Sequence, residues 1–396
     1  MQHRFVAPTS RGTEALLAAE LQALGAQEVV EARGAVRFRG PLAVAYRALL
    51  WSRVASRVLL VLRVFPASDA RDLYEGVADV DWLEHLDPAA TLAVDCVGEA
   101  PWLRNTHYAE LTVKDAVVDQ LRARTGARPS VDTVSPDIRL HLYLTPGEAV
   151  LSLDLAGDPL HRRGLHRGTG EAPLKENLAA ALLLTAGWPE AAAAGAPLVD
   201  PMCGAGTLLV EAAWMARDTA PGLLRERWGF TAWRPHEPGT WRALLDEAQA
   251  RRDQATRRPL QICGADDDPR VLEITAENLR RAGIRQGVAL ERRAVADAAP
   301  PGDRPGLLIT NPPYGQRLGE EAALREIYAA LGDALRQRFL GWDAWVFTAS
   351  KALAGAIGLR PRRRVPLWNG PLECRLLHLP IDAAPAQGRP GWRPAG

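Results

Sequence analysis

Cysteine is scarce in this chain of 396 residues: Cys96, Cys203, Cys263 and Cys374 are far apart and form no CxxC pair. That spacing excludes a disulfide framework and offers no zinc site, so a reducing cytoplasm is the expected compartment and no metal is expected. Long apolar runs are missing too. No stretch reaches the roughly 18 to 20 uninterrupted apolar residues that a membrane span needs, so no membrane partner is expected. Residues 1–11 have no apolar h-region and carry Arg4 and Arg11, so no secretory signal is expected. Nor is there an excess of either charge: 48 basic side chains against 47 acidic ones leave a formal net charge of +1. A nucleic-acid partner therefore has to be argued from local clusters. What the chain does have is 47% apolar and 24% charged residues, enough for a packed core, and a length that suits two or three domains.

Along the chain, apolar residues fall at helical spacing from Glu14 to Leu24, with Gly25 as a stop. A strand is expected at Ala35–Phe38, a helix at Pro41–Leu50 and a strand at Arg57–Val64, making a small α+β unit that ends near residue 65. A second unit follows, with strands at Leu92–Val97, Arg139–Leu144 and Ala149–Leu155 and a helix at Val113–Arg122. Gly157–Gly170, rich in Gly, His and Arg, reads as a linker. From residue 172 to Ser350, helices, strands and glycine turns alternate, as in a parallel α/β sheet. Its expected strands are Pro197–Asp200, Gln261–Asp266, Val288–Arg293, Gly306–Thr310 and Ala344–Thr348. Residues 383–396, rich in Pro, Gly and Ala, read as a disordered tail.

The first chemical motif is Asp200-Pro201-Met202-Cys203-Gly204-Ala205-Gly206-Thr207, a glycine turn between a strand and a helix. Glycines there let a ligand approach the backbone. Alone they read sooner as a structural turn than as a ligand site. Three further strand ends change the balance. Asp266 ends the next strand, where a carboxylate can accept from both ribose hydroxyls of a nucleoside; Asp297 can accept from an adenine amine; Asn311 begins the fourth point. With Pro269, Asp267 and Asp268 read as a helix cap rather than ligand contacts. GxxxxGK[ST] is absent, which excludes a P-loop, and Leu209 stands at the third glycine position of GxGxxG, which disfavours a nicotinamide. Adenosine bearing a sulfonium, S-adenosyl-L-methionine, is the cofactor that remains.

The most specific motif is Asn311-Pro312-Pro313-Tyr314. Two prolines end a buried strand and fix a rigid turn. An exocyclic amine on a base is a poor nucleophile because its lone pair is delocalised into the ring. The Asn311 side-chain oxygen and the Pro312 carbonyl can accept its two N–H bonds and aim the nitrogen, while Tyr314 stacks on the base. These four are the expected catalytic residues. Asp200, Met202, Cys203, Gly204, Gly206, Thr207, Asp266, Asp297 and Asn311 are the expected cofactor contacts.

With these motifs go Ser10-Arg11-Gly12, Leu49-Leu50-Trp51-Ser52-Arg53, Asp72-Leu73-Tyr74, Arg104-Asn105-Thr106-His107-Tyr108 and Val113-Lys114-Asp115-Ala116. Leu153-Asp154-Leu155, His161-Arg162-Arg163-Gly164, Ala172-Pro173-Leu174-Lys175-Glu176, Ala220-Pro221-Gly222-Leu223 and Arg227-Trp228-Gly229-Phe230 complete the set. Over residues 5–379 the chain resembles the bacterial 23S rRNA (guanine-N2)-methyltransferases that carry an N-terminal THUMP domain. The segment from Pro221 to Trp233 resembles the ribosomal rather than the tRNA branch. Ala205, where relatives often have Ser, and Gln316, where Glu is frequent, depart from the pattern without removing a backbone group.

The resemblance implies a ferredoxin-like part at 1–64, a THUMP RNA-binding domain at 65–165 and a Rossmann-like class I methyltransferase domain at 170–382. Some relatives carry a second methyltransferase domain after this region, which is not expected in a chain that stops at Gly396. In the context of that family, Arg104, Lys114, Arg139, Arg162 and Arg163 are expected to bind RNA, with His166, Arg167 and the Arg362–Arg364 cluster as further candidates; buried packing is the expected role of Trp228 and Trp233. Alternatives are a THUMP-containing tRNA guanine-N2 methyltransferase, a DNA adenine or protein glutamine methyltransferase sharing the Asn-Pro-Pro-Tyr motif, and a non-catalytic RNA-binding assembly factor.

Overall fold

The computed structural model describes residues 2–165, 174–256, 258–314 and 321–382. The expected tail, His166, Arg167 and Gln316 lie outside the described residues. No described helix is long and apolar enough to cross a membrane. The contacts group the chain into two compact units, Met1–Thr9, Thr13–Gly164 and Ala220–Arg251 in the first, Ser10–Gly12, Leu165–Thr219 and Arg252–Gly396 in the second.

The first unit begins β1 (His3–Pro8), α1 (Glu14–Ala23), β2 (Gln27–Ala32), β3 (Ala35–Gly40), α2 (Leu42–Trp51), β4 (Leu59–Ala67). This βαββαβ run, with its strands ordered β2-β3-β1-β4, is ferredoxin-like. It continues with α3 (Ala70–Ala78), β5 (Thr91–Gly98), α4 (Thr106–Thr125), β6 (Ser130–Val131), β7 (Ile138–Thr145) and β8 (Gly147–Asp154). Nine-residue β4 pairs with β1 on one side and β8 on the other. The two halves thereby share one sheet of eight described strands. Helix α4 starts earlier than the periodicity predicts. Asn105 caps it by accepting from the Tyr108 N–H at 3.0 Å. The first turns leave Tyr108 and Leu111 exposed, so the apolar stripe begins only further along. Strand β2 escaped the pattern because most of it is solvated.

The second unit contains α5 (Glu176–Thr185), α6 (Trp188–Ala193), β9 (Leu198–Asp200) and α7 (Thr207–Ala216). The chain then leaves it and returns along α8 (Pro238–Ala255). There follow β10 (Ile262–Asp266), α9 (Pro269–Arg281), β11 (Val288–Arg292), β12 (Leu307–Thr310), α10 (Glu321–Arg338), β13 (Asp343–Thr348), α11 (Lys351–Ala356), β14 (Arg363–Asn369) and β15 (Leu372–Pro380). Seven described strands run β11-β10-β9-β12-β13-β15-β14, parallel except for the last hairpin. This is the class I methyltransferase arrangement, and its order reverses between β9 and β12. The five parallel strands agree with the sequence reading to within a residue. The β14–β15 hairpin was not anticipated: Arg362–Arg364 and Pro366 are poor strand residues, tolerated because β14 is an edge strand.

Residues 170–382 read as one contiguous unit in sequence, yet Ala220–Arg251 packs in the first unit. The side chains explain why. Tyr46 Oη and His236 Nδ1 are 2.7 Å apart. The Tyr46 ring lies 4.7 Å from Phe230 and 5.6 Å from Trp241, and Trp228 packs edge-on to Trp241 at 5.1 Å. Trp228 and Trp233 are buried, as expected. The Trp233 indole donates to His85 Nδ1 at 3.0 Å. Arg225 holds the loop after β8 through four main-chain carbonyls: Nη2 donates to Ala156 and Asp158, Nη1 to Pro159 and Arg162. Its guanidinium also sits 4.8 Å over the Trp228 ring.

Candidate active site

In an open parallel sheet, ligands bind beyond the carboxyl ends of the strands where the order reverses. The sequence puts its motifs there. The β9–β12 register pairs Leu198 with Leu307 and Val199 with Leu308, which brings the ends at Asp200 and Thr310-Asn311 side by side. Gly264 pairs with Asp200 on the other flank, so Asp266 ends two residues further along. The hollow bounded by Pro197, Ile262, Val288 and Arg304 lies at the opposite, amino ends and holds none of the expected residues.

The Asp200–Thr207 turn is held from several sides. The Asp200 Oδ1 accepts from the Met202 N–H at 3.2 Å, and the Cys203 N–H donates to the Ala265 carbonyl at 2.8 Å. Asp266 accepts from the Gly204 N–H at 3.1 Å through Oδ2 and from the Asp268 N–H at 3.2 Å through Oδ1. Each oxygen retains a lone pair, so the carboxylate is fixed in place and still able to accept. Asp268 caps α9 by accepting from the Arg270 N–H at 2.9 Å, with Pro269 in the first turn, as the sequence indicated. Two residues that the motifs did not single out complete the support: the Thr275 hydroxyl donates to the Gly204 carbonyl, and Asn278 Nδ2 donates to the Ala205 carbonyl at 2.9 Å. Their signal was two polar residues three apart on the buried side of an amphipathic helix.

The two glycines serve different needs. Gly206 has φ +79°, and a Cβ there would meet Thr275 Cγ2 at 2.5 Å, so it is required by packing against α9. Gly204 has φ +52° and no heavy atom within 4 Å of an added Cβ. That open space at a strand-to-helix turn is what a cofactor approaching the main chain requires. Met202 packs against the sheet core, Thr207 starts α7, and Asp297 is exposed on a short 3-10 turn beyond β11. The Cys203 side chain is buried and its thiol pushed far up by desolvation, so it is no nucleophile at neutral pH.

Asp200 is 1% exposed. Burial pushes its carboxyl up to about 7, against the opposing pull of the Thr310 hydroxyl and the Met202 N–H. A carboxyl raised in the folded state contributes stability while it keeps its proton, and loses it as pH rises from the ordinary range near about 4 towards the folded value. Asp200→Asn cannot ionise. The urea midpoint of the wild type should therefore fall relative to this variant between pH 5 and pH 8. A constant difference across that range would show that Asp200 does not titrate there.

In the acceptor motif, Pro312 is buried and Asn311 and Tyr314 are half-buried. The Asn311 Oδ1 is buried and, among the described residues, accepts no hydrogen bond. A buried carbonyl oxygen without a donor costs about 1 to 3 kcal/mol. Such an atom at the carboxyl end of β12, beside the glycine turn, is a place for a donor from a ligand. The Tyr314 ring packs against the core beneath the sheet, and its hydroxyl accepts from Asn369 Nδ2 at 3.1 Å.

The basic residues divide. Arg104 and Arg162 are exposed, as is the Arg362–Arg364 cluster. Lys114 pairs with Asp115. Arg139 is committed to both Asp95 oxygens, at 3.0 and 3.1 Å, and to the Thr133 carbonyl. Arg163 is 2% exposed and donates through Nη2 to the Arg53 carbonyl at 2.7 Å, so it is a packing residue and not the phosphate contact its neighbours suggested.

Family models match three parts of the chain: the RlmL ferredoxin-like domain at 4–59, the THUMP domain at 67–154 and the RMKL-like methyltransferase domain at 163–378. The ribosomal RNA large subunit methyltransferase K/L of Stutzerimonas stutzeri is 50% identical over 384 residues, which are 96% of this chain and 53% of that protein. Its counterpart in Pseudomonas entomophila is 52% identical over 93% of this chain and 51% of its own length. The chain thus spans about half the length of the curated relatives it matches. Among solved structures, a protein described as "a putative methyltransferase complexed with SAH" superposes with a TM-score of 0.85 at 28% identity, covering 98% of this chain and 99% of the other. A Listeria monocytogenes protein described as a "predicted N6-adenine-specific DNA methylase" gives 0.84 at 29%, covering 96% of each.

Proposed function

The chain belongs to the RMKL-like methyltransferase family, and we propose that it transfers a methyl group from S-adenosylmethionine to the exocyclic N2 amine of a guanosine in 23S ribosomal RNA, in the cytoplasm. The names of its relatives and the SAH bound to a structural neighbour support this reading. The observation that carries it is the buried Asn311 Oδ1, which has no donor among the described residues.

The residues present fit the cofactor. Gly204 leaves its approach open, Asp266 is braced to accept from the ribose hydroxyls, and Asp297 is free of burial for an adenine amine. When bound, S-adenosylmethionine supplies an already activated methyl group. The chain's own work is then orientation. Asn311 Oδ1 and the Pro312 carbonyl accept from the two N–H bonds of the amine and turn its lone pair toward the methyl group, and Tyr314 supports the base. A base inside folded RNA must leave its stack to reach such a site. The first unit, with exposed Arg104 and Arg162, holds the RNA through phosphates.

The test is methyl transfer to unmodified 23S RNA, to its domain V transcript and to tRNA, followed by nucleoside mass spectrometry. The expected product is N2-methylguanosine in the ribosomal substrate. The same product in tRNA alone would move the enzyme to the tRNA branch. A methylated adenine, or no transfer to either RNA, would sink the reading.

A further inference from the structure

A polar cluster lies beside the acceptor loop, built from parts of the second unit that are far apart in sequence. Asn369 Nδ2, from the end of β14, donates to Tyr314 Oη at 3.1 Å. Tyr328 on α10 and Thr348 at the end of β13 join their hydroxyls at 2.9 Å, and the Ser350 N–H donates to Thr348 Oγ1 at 3.2 Å. Buried Cys374 on β15 lies close to the Tyr314 hydroxyl. The hairpin register accounts for this meeting. Thr348, at the carboxyl end of β13, pairs with Arg375, and Asn369 pairs with Leu372 across the turn at Gly370. The hairpin tip therefore reaches the same end of the sheet as the cofactor turn and Asn311.

A ring that only has to stack on a base needs no hydroxyl. Here the hydroxyl is used, and its partner comes from an element that supplies nothing to the cofactor turn. The ring is half-buried, packed on the core along one part, and its far end receives the Asn369 amide and lies beside the Cys374 thiol. We propose that Asn369 is a positioning residue for the methyl acceptor: its amide donates to Tyr314 Oη and so fixes the orientation of the ring that supports the base. This rests on the reading of Asn311–Tyr314 as the acceptor site. It assigns the terminal hairpin to the acceptor side of the reaction, and it gives a reason for Tyr rather than Phe at position 314.

The test is a double-mutant cycle on the full chain, read by single-turnover methyl transfer at saturating RNA and cofactor. A neutral hydrogen bond of ordinary strength corresponds to a factor of roughly two to ten. Asn369→Leu should slow transfer by about that factor, with the dissociation constants of RNA and cofactor within about twofold of wild type. Tyr314→Phe should lose a similar factor, and Asn369→Leu should add nothing in the Tyr314→Phe background. Asn369→Asp should restore most of the rate, because the Tyr314 hydroxyl can then donate to the carboxylate; a merely structural contact would not be rescued in this way. Losses that multiply in the double variant, or full activity in either single variant, would overturn the assignment. Should Asn369→Leu fail to fold, the Tyr314→Phe and Asn369→Asp arms still decide: full activity in the first, or no activity above background in a folded form of the second, overturns it. A wild type that transfers no methyl group to RNA would overturn the underlying acceptor-site reading, and this assignment with it.

Discussion

Replacing Asn311 with alanine should slow methyl transfer on the order of a hundredfold or more, the usual cost of removing one positioned hydrogen-bonding group from a reacting centre. RNA affinity should hardly change, because it comes from many phosphate contacts elsewhere. The structure adds a second expectation. Asn311 Oδ1 is buried with no donor among the described residues, so its removal relieves a desolvation cost in the free protein. The thermal midpoint of Asn311→Ala should therefore be no lower than that of the wild type. A residue kept at some cost to the fold, and needed only when the acceptor is present, behaves this way. Transfer within a few-fold of wild type would take Asn311 out of the active site, and equal losses of rate and RNA affinity would make the motif a binding element. A marked loss of stability would mean that the amide has a structural duty.

The second large effect is expected far from the chemistry. Arg225→Lys keeps a positive charge but loses the planar fork that reaches four carbonyls of residues 156–162. Burial already pushes the Arg225 guanidinium down to about 10, so the surroundings tolerate the charge because both terminal nitrogens are engaged, although the buried Nε has no partner among the described residues. An ammonium can satisfy at most three acceptors from one point. With hydrogen bonds to charged groups worth about 1.5 to 3 kcal/mol each, the variant should lose about 3 kcal/mol or more, read as a lower urea midpoint. Cofactor affinity in the surviving folded protein should stay near wild type, since no cofactor contact belongs to this loop. An unchanged midpoint would mean that the loop does not depend on the staple.

The parallel strands of the second unit were legible because they are short and bounded by glycine or proline turns, and all but the edge strand β11 are buried on both faces. The ends at Asp200, Asp266 and Asn311 could be placed from that pattern together with the topology rule for open sheets. Other parts were invisible for identifiable reasons. Thr275 and Asn278 act on carbonyls of the glycine turn from a helix some 70 residues away, 71 and 73 positions along the chain; no local motif announces that. Asn369 lies on a strand disguised by Arg and Pro. The fate of Arg163 was hidden because a run of basic residues carries no record of which member points inward. The excursion at Ala220–Arg251 shows in sequence only as an interruption rich in Trp, and its grouping depends on Tyr46 and His85, far upstream.

That excursion also bears on the order in which the protein is made. During synthesis the first 164 residues emerge long before Ala220–Arg251. Until then Tyr46 lacks His236 and Phe230, His85 lacks Trp233, and the loop after β8 lacks Arg225. The unit that starts first can be completed only after residue 251 has emerged, when part of the second unit has already been made. While it waits, residues 165–219 leave the ribosome with α5 and α7, whose side chains are almost all buried in the finished unit, before β10 and α9, against which α7 packs, are made. For an interval of some tens of residues, a few seconds at ordinary rates of translation, the nascent chain carries two unfinished cores at once, and this is when it has most need of a chaperone.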